Sequence, residues 1–322
     1  MRPTRLTSPR SAFHASARRR ALGAIGSLGV LGTGRTIAAA ATLWPGHESQ
    51  AASGQTEAPP LPQGATLLES ADSPFSAIRV YALNGARLMA FDGQSSGSVQ
   101  SAWLPADPGA LLVTYTRLMT LALVHADGHR KAVVVGLGGG RTAGYLAATF
   151  APLEVQAVEI DPQVTRLARR WFDLRTGPRL SVTHDDGRRF IERLPAPVDL
   201  VFVDAYLNDS APRHLTTRQF YEAIRDRLAP GGAMALNIEP HSQALGDALL
   251  TIEAVFGHYE TYGDGSNVVL ITRPGPALEA GALEARARAL DARFSPRHGL
   301  RELLDARQPL TPAPGARIRN DA

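Results

Sequence analysis

Four carboxylates and a run of glycines in the middle of the chain are the residues best placed to do chemistry. Gly136-Leu137-Gly138-Gly139-Gly140 follows directly on the apolar run Ala132–Val135. Glycines between a strand and a helix let the backbone approach a ligand and aim the first helical amides at it. Glu159 closes the next apolar run, about 20 residues on, where an acid takes ribose hydroxyls. Asp185 and Asp186 close a third run, where a carboxylate accepts from the amino group of a base. Asp204 ends a fourth run, Leu200–Val203. At the carboxyl edge of a sheet it is a candidate general base for an attacking nucleophile. Tyr206 and His214 flank the same opening, and His214 reads either as a proton shuttle or as a hydrogen-bonding loop residue. Order and spacing together specify a site for an adenosine-containing ligand with a base beside it.

The elements that must position these residues are legible around them. From Ala132 to Thr272, short β-branched runs alternate with amphipathic stretches: Thr142–Phe150, Pro162–Phe172, Gly187–Arg193, Thr217–Leu228 and Ser242–Phe256. Continuous apolar strands between such helices predict a Rossmann-like α/β fold, a doubly wound, mostly parallel sheet covered on both faces. Ahead of it, runs at Thr66–Glu69, Ala77–Leu83, Arg87–Phe91 and Ser98–Trp103 are broken by Asp72-Ser73-Pro74, Asn84-Gly85 and Asp92-Gly93. That pattern predicts a small β-meander, followed by a helix over Pro108–His125. The expected organisation is a basic segment (1–44), a Pro/Gly/Ser-rich linker (45–64), the meander (65–107), the ligand-binding domain (108–272) and a helical, Pro-rich tail (273–322) without a chemical signal.

Composition narrows the function. The net charge of +4 is carried by seven arginines within the first 35 residues, a stretch with no acid. Without them, 27 basic residues stand against 30 acidic ones, so no nucleic-acid footprint is expected. There is no cysteine, which excludes disulfides, thiolate zinc sites and a cysteine nucleophile. No metal site is read from the sequence. Arg18-Arg19-Arg20, a mildly apolar Gly-rich stretch and the small residues after Ile37 are the parts of an export signal of the twin-arginine kind, without the usual Phe-Leu. This gives two open readings: export to the periplasm or cell exterior, or a disordered basic extension on a cytoplasmic protein. Arg35 interrupts the run short of the roughly 20 apolar residues a bilayer span needs, so no stable span is expected.

The motifs also carry a resemblance. Val133–Gly140, Val158-Glu159-Ile160-Asp161-Pro162, His184–Gly187, Val203–Tyr206 and Leu228–Gly232 resemble the spermidine synthase (polyamine aminopropyltransferase) family. The likeness extends from Leu67 to Thr272, with Ser73-Pro74-Phe75 and Phe91-Asp92-Gly93 in the places of the family's hairpin motifs. Pro212-Arg213-His214-Leu215-Thr216-Thr217 is similar to the signature of the family's divergent branch. The resemblance implies a Rossmann-like domain of the class I S-adenosylmethionine-dependent methyltransferase type. It also implies S-adenosylmethionine or its decarboxylated form as co-substrate, a small-molecule acceptor and often a homodimer. The cofactor residues it implies are Gly136, Gly138, Gly139, Gly140, Glu159, Asp185 and Asp186. The catalytic one it implies is Asp204, beside which Tyr206 and His214 stand as candidates from their position at the opening.

The pattern departs from the family on the acceptor side. Where the family's glycine loop carries an aspartate for the amine of the donor, this chain has Gly139; where a second catalytic aspartate stands, it has Leu207, with Asn208 and Asp209 beside it. Ser76 replaces a glutamine of the hairpin, and Arg117 follows the retained Tyr115 where an acid is usual. Arg117 reads either as an acceptor-side cation or as a surface helix cation, and Tyr262 resembles a tyrosine near the acceptor. A buried ammonium needs opposite charge, so putrescine is expected to be a poor acceptor. With Gly139 in the aspartate's place, intact S-adenosylmethionine is expected to bind at least as well as the decarboxylated form. Three readings stay open: aminopropyl transfer, methyl transfer, and a non-catalytic nucleoside-binding protein.

Overall fold

The computed structural model describes residues 64–91, 99–206, 211–240, 243–263, 265 and 267–321. The basic segment, nearly all of the linker and residues 207–210 lie outside the described residues. The chain divides between Gln50 and Ala51, and all described residues belong to the second unit.

The meander forms as read. Strands β1 (Thr66–Asp72), β2 (Ala77–Leu83), β3 (Ala86–Phe91) and β4 (Val99–Trp103) make an antiparallel sheet in chain order. The β2–β3 turn holds Asn84 and Gly85 at φ 48° and 81°, the left-handed pair that a two-residue hairpin demands. The single helix expected over Pro108–His125 is two short ones, α1 (Thr114–Met119) and α2 (Ala122–His125). The stretch before them instead packs as a turn, with Asp107 and Ala110 amides bonded back to Leu104 and Asp107 carbonyls.

The second sheet has strands β5 (Lys131–Val135), β6 (Glu154–Glu159), β7 (Leu180–His184), β8 (Val198–Val203), β9 (Leu228–Ile238), β10 (Glu260–Gly263) and β11 (Val268–Thr272). Their spatial order is β10-β11-β9-β8-β5-β6-β7. β5 to β9 are mutually parallel, and β11 runs antiparallel to both β9 and β10. β10 escapes sequence reading because it is short and carries Glu260 and Thr261 among its four residues. Alternate residues of β5 enter opposite cores, Ala132 and Val134 on one face, Val133 and Val135 on the other. That is why the strand is apolar at both parities. Helices α3 (Arg141–Thr149), α4 (Pro162–Trp171), α5 (Gly187–Glu192), α6 (Arg218–Arg227) and α7 (Gln243–Phe256) connect the strands. β5 lies between β6 and β8, so the strand order reverses there. Ligands of open α/β sheets bind at such a switch point, at the carboxyl ends of the strands.

The tail, read as helical and Pro-rich, packs back on the α/β domain through its last residues. After α8 (Ala280–Phe294) and α9 (Leu300–Leu303), Arg307 pairs with Tyr262 on β10 and Arg319 reaches α7 through Asp247 at 2.9 Å. Asp321 then forms a two-pronged ion pair with Arg188 on α5, both contacts at 2.7 Å.

Candidate active site

A cavity of about 1170 Å³, its open mouth included, sits over the carboxyl ends of β5, β6, β7 and β8. The glycine loop forms its floor. Gly136, Gly138 and Gly140 have φ of 90°, 51° and 71°, which side-chain-bearing residues seldom adopt. A Cβ on Gly136 would stand 2.1 Å from the carbonyl oxygen of Asp204, so the loop and the end of β8 touch backbone to backbone.

Glu159, at the end of β6, holds this loop in place. One carboxylate oxygen accepts from the Leu137 amide at 3.0 Å, the other from the Asp161 amide at 2.9 Å. Burial raises its pKa above the usual carboxylate value, and the backbone amides of Asp161 and Leu137 work against that rise. Asp161 caps α4 through the Gln163 amide at 2.8 Å. It is only 2 % exposed, and its Oδ2 is buried without a hydrogen-bond partner among the described residues. Both acids line the cavity. A buried acceptor lacking a partner is the complement of a ligand hydroxyl, so this edge fits a ribose.

Asp185 and Asp186 line the cavity from the end of β7. Asp185 is paired with Arg189, whose hydrogen bond holds its carboxyl below the usual value. Asp186 caps α5 through the Arg189 amide at 2.9 Å and takes His214 Nε2 at 2.6 Å. His214 therefore bonds the loop from the cavity's mouth, on the turn Arg213–Leu215.

Asp204 follows β8 and is half-buried. Its Oδ2 accepts from Tyr115 at 3.1 Å and its Oδ1 from Asn237 at 2.9 Å. Burial raises its pKa above the carboxylate range, while the bonds from Asn237 and Tyr115 lower it. Burial and then the adjacent Asp204 charge hold the Tyr115 hydroxyl protonated, well above its ordinary pKa. Tyr206 donates to the Asn237 carbonyl at 2.7 Å, so its hydroxyl is committed to the wall.

Several residues singled out from sequence stand elsewhere. Gly139 and Gly140 do not line the cavity: a Cβ on Gly139 would meet the Phe172 ring at 2.8 Å, and one on Gly140 would meet Leu174 at 2.7 Å. The Gly139 amide is already bonded to Ser101 Oγ at 2.8 Å and the Gly140 amide to the Leu137 carbonyl at 2.8 Å. The expected donor preference loses its basis here, because neither the side-chain direction nor a spare amide of Gly139 serves the ligand. Arg117 is outside the lining, with Nε on the Leu111 carbonyl at 2.6 Å. Tyr262 is outside as well, buried on β10 between His125 and Glu260 at 3.1 Å each. Leu207, Asn208 and Asp209 lie outside the described residues. Sequence reading missed Asn237 and Ser101; neither has a motif, and each acts through a partner far away in the chain. Arg141 lines the cavity but spends its Nη atoms on the carbonyls of Phe172 and Pro108. No group of three or more His, Cys, Asp and Glu residues that could hold a metal occurs among the described residues.

The switch-point cavity, its glycine floor and the acids at the ends of β6, β7 and β8 belong to a Rossmann-like α/β architecture. Residues 113–252 match the family model "Spermine/spermidine synthase domain". A probable polyamine aminopropyl transferase of Bifidobacterium longum is 30% identical over 177 residues, 52% of this chain and 39% of that protein. The polyamine aminopropyltransferase of Vibrio vulnificus is 24% identical over 238 residues, 72% of this chain and 80% of the relative. The fold is that of a probable spermidine synthase from Corynebacterium glutamicum, with a TM-score of 0.64 at 24% identity over 80% of this chain and 96% of that one. Human methyltransferase-like protein 13, solved in complex with SAH, has a TM-score of 0.51 at 24% identity, covering 58% of this chain and 95% of its own. Over residues 113–252 the chain is thus similar to spermine/spermidine synthase domains, and its relatives are named polyamine aminopropyltransferases, a family of transferases.

Proposed function

We propose that this protein transfers an alkyl group, aminopropyl by the family's precedent, from a sulfonium nucleoside to a nucleophile. The donor would be S-adenosylmethionine or its decarboxylated form. The observation that carries this reading is Asp204. It is held by Tyr115 and Asn237 at the switch point, in the same cavity as Glu159, Asp161 and Asp185.

In this reading the ribose lies along Glu159 and Asp161, and the base along Asp185. The nucleophile approaches Asp204, which takes its proton as the new bond forms to a carbon on sulfur and the thioether leaves. The sulfonium is intrinsically reactive, so the protein contributes orientation, proximity and proton removal. The lining also suits a cation, since Glu159, Asp161, Asp185, Asp186 and Asp204 stand there against Arg141. Methyl transfer from intact S-adenosylmethionine is the second reading. It is favoured by Leu207, where the family holds an acid for an amine. Incubation of the pure protein with each donor and a panel of amines, followed by mass spectrometry, separates the two. Methylthioadenosine would report aminopropyl transfer and S-adenosylhomocysteine methyl transfer. Binding of neither donor would refute the reading.

A further inference from the structure

We infer that Asn237 is a positioning residue for Asp204: clamped by Asn267, its side-chain amide holds the carboxylate in one orientation toward the cavity. Asn237 is 3 % exposed, near the end of β9, in a run of buried apolar residues that includes Ala235, Leu236 and Ile238. A polar side chain in such a strand destabilises the fold unless its hydrogen bonds are made. Here both ends of the side-chain amide are bonded, and the main-chain carbonyl takes a third bond. Nδ2 donates to Asp204 Oδ1 at 2.9 Å, Oδ1 accepts from Asn267 Nδ2 at 3.0 Å, and the main-chain carbonyl accepts from Tyr206.

The polarity of this chain is fixed from one end. An ionised carboxylate only accepts, so Asn237 must present its NH₂ to Asp204 and its oxygen to Asn267. Rotating the amide by half a turn would set oxygen against carboxylate and NH₂ against NH₂, breaking both bonds. Asp204 thus decides which end of Asn237 it faces, and the Asn267 amide holds the other end by donating to the oxygen. With Tyr115 on Oδ2 from the other side, each carboxylate oxygen keeps acceptor capacity for a proton arriving from the cavity. Tyr115 bonds Asp204 directly, Tyr206 lies within electrostatic range of it, and Glu239 within range of Tyr206. Glu159, Asp161, Asp185, Asp186, His214 and Arg141 stand around the same cavity. Of all these groups and Asn237, only Asn237 and Tyr115 donate a hydrogen bond to it.

The inference rests on the transferase reading for its kinetic consequence alone. The test is a carbon-13 NMR titration of the Asp204 carboxyl, assigned by its loss in Asp204→Asn, on wild type, Asn237→Leu and Asn267→Leu. Asn237→Leu should raise the midpoint by about one pH unit and move the acid limb of kcat/KM with it, at unchanged donor affinity. Asn267→Leu should move both in the same direction by less. An unshifted midpoint in folded Asn237→Leu would leave Asn237 as packing and overturn the inference. Should that variant not fold, an unshifted midpoint in Asn267→Leu overturns it equally. A wild type that turns over no acceptor with either donor refutes the transferase reading, while the titration still decides the role of Asn237.

Discussion

At the glycine-loop end of the cavity almost every contact engages the backbone, whereas at the Asp204 end the contacts run side chain to side chain. Glu159 and Ser101 accept from the amides of Leu137, Asp161 and Gly139, and the Gly136 amide bonds the Val158 carbonyl. Asp204 is instead fixed by Tyr115 and Asn237, and Asn237 by Asn267. Backbone contacts of the first kind survive most sequence change provided the glycines stay, because the positive φ values are what shape the loop. Contacts of the second kind depend on particular side chains at separated positions and are lost one substitution at a time. The binding end is thus suited to persist across a family, and the reacting end to diverge.

The sharpest break in that comparison is Asp204→Asn. Losing a positioned base should lower turnover by roughly 10²–10⁴-fold, with donor affinity little changed, as single-turnover assays and calorimetry would register. In the wild type, activity should fall on acidification at a pH above the ordinary carboxylate range, because burial raises the Asp204 pKa and the base must be ionised. An acid limb at or below about pH 4 would mean that the hydrogen bonds outweigh burial.

Glu159→Ala tests the other end. Two bonds from amides to a charged group are lost, and donor affinity should weaken by about 2–3 kcal/mol, with kcat at saturation retained. Unchanged affinity in a folded variant would remove Glu159 from the ligand's contacts. Gly139→Asp comes next. A side chain there meets Phe172 and Ser101 rather than the cavity. The expected result is a loss of about 1–2 kcal/mol in stability from overpacking, seen as a lower denaturant midpoint, without a tenfold switch toward the decarboxylated donor. A clean switch in preference would show that the loop can turn Gly139 inward.

The same contrast explains what was legible in the sequence. The loop, Glu159, Asp185 and Asp204 could be read because strand, glycine turn and helix follow one another locally, and an acid at a strand end has few places to point. Asn237 could not, because its partners lie 33 positions before and 30 after it, and nothing in Leu236-Asn237-Ile238 signals them. Arg117 reads either as an acceptor-side or as a surface cation, and Tyr262 is tied to the acceptor by resemblance alone. The former turns to the Leu111 carbonyl, and the latter joins a buried His125–Tyr262–Glu260 cluster. The direction a helix or edge-strand residue faces depends on packing that chain order does not encode. The tail illustrates the same point: Arg319 and Asp321 find partners on three helices whose sequences do not foretell them.

Ser101 is where the two kinds of construction meet, and its removal should have the smallest effect of the set. It belongs to β4 of the meander, yet its Oγ accepts from the Gly139 amide at 2.8 Å, fastening the N-terminal sheet to the glycine loop. In Ser101→Ala the buried amide loses its partner while the packing around Gly138 and Gly139 loosens rather than clashes. A net cost of about 1 kcal/mol is expected, which is roughly fivefold in donor Kd, with little change in kcat. Calorimetry with each donor and steady-state kinetics on the same preparation would show it. Weaker binding at constant kcat would place the meander with the binding end of the cavity. A fall in kcat at constant Kd would instead mean that β4 acts through Gln100, whose carbonyl lies 3.4 Å from the Tyr115 hydroxyl, and so belongs with Asp204. The division between a backbone-built and a side-chain-built end would then have to be redrawn through the middle of one strand.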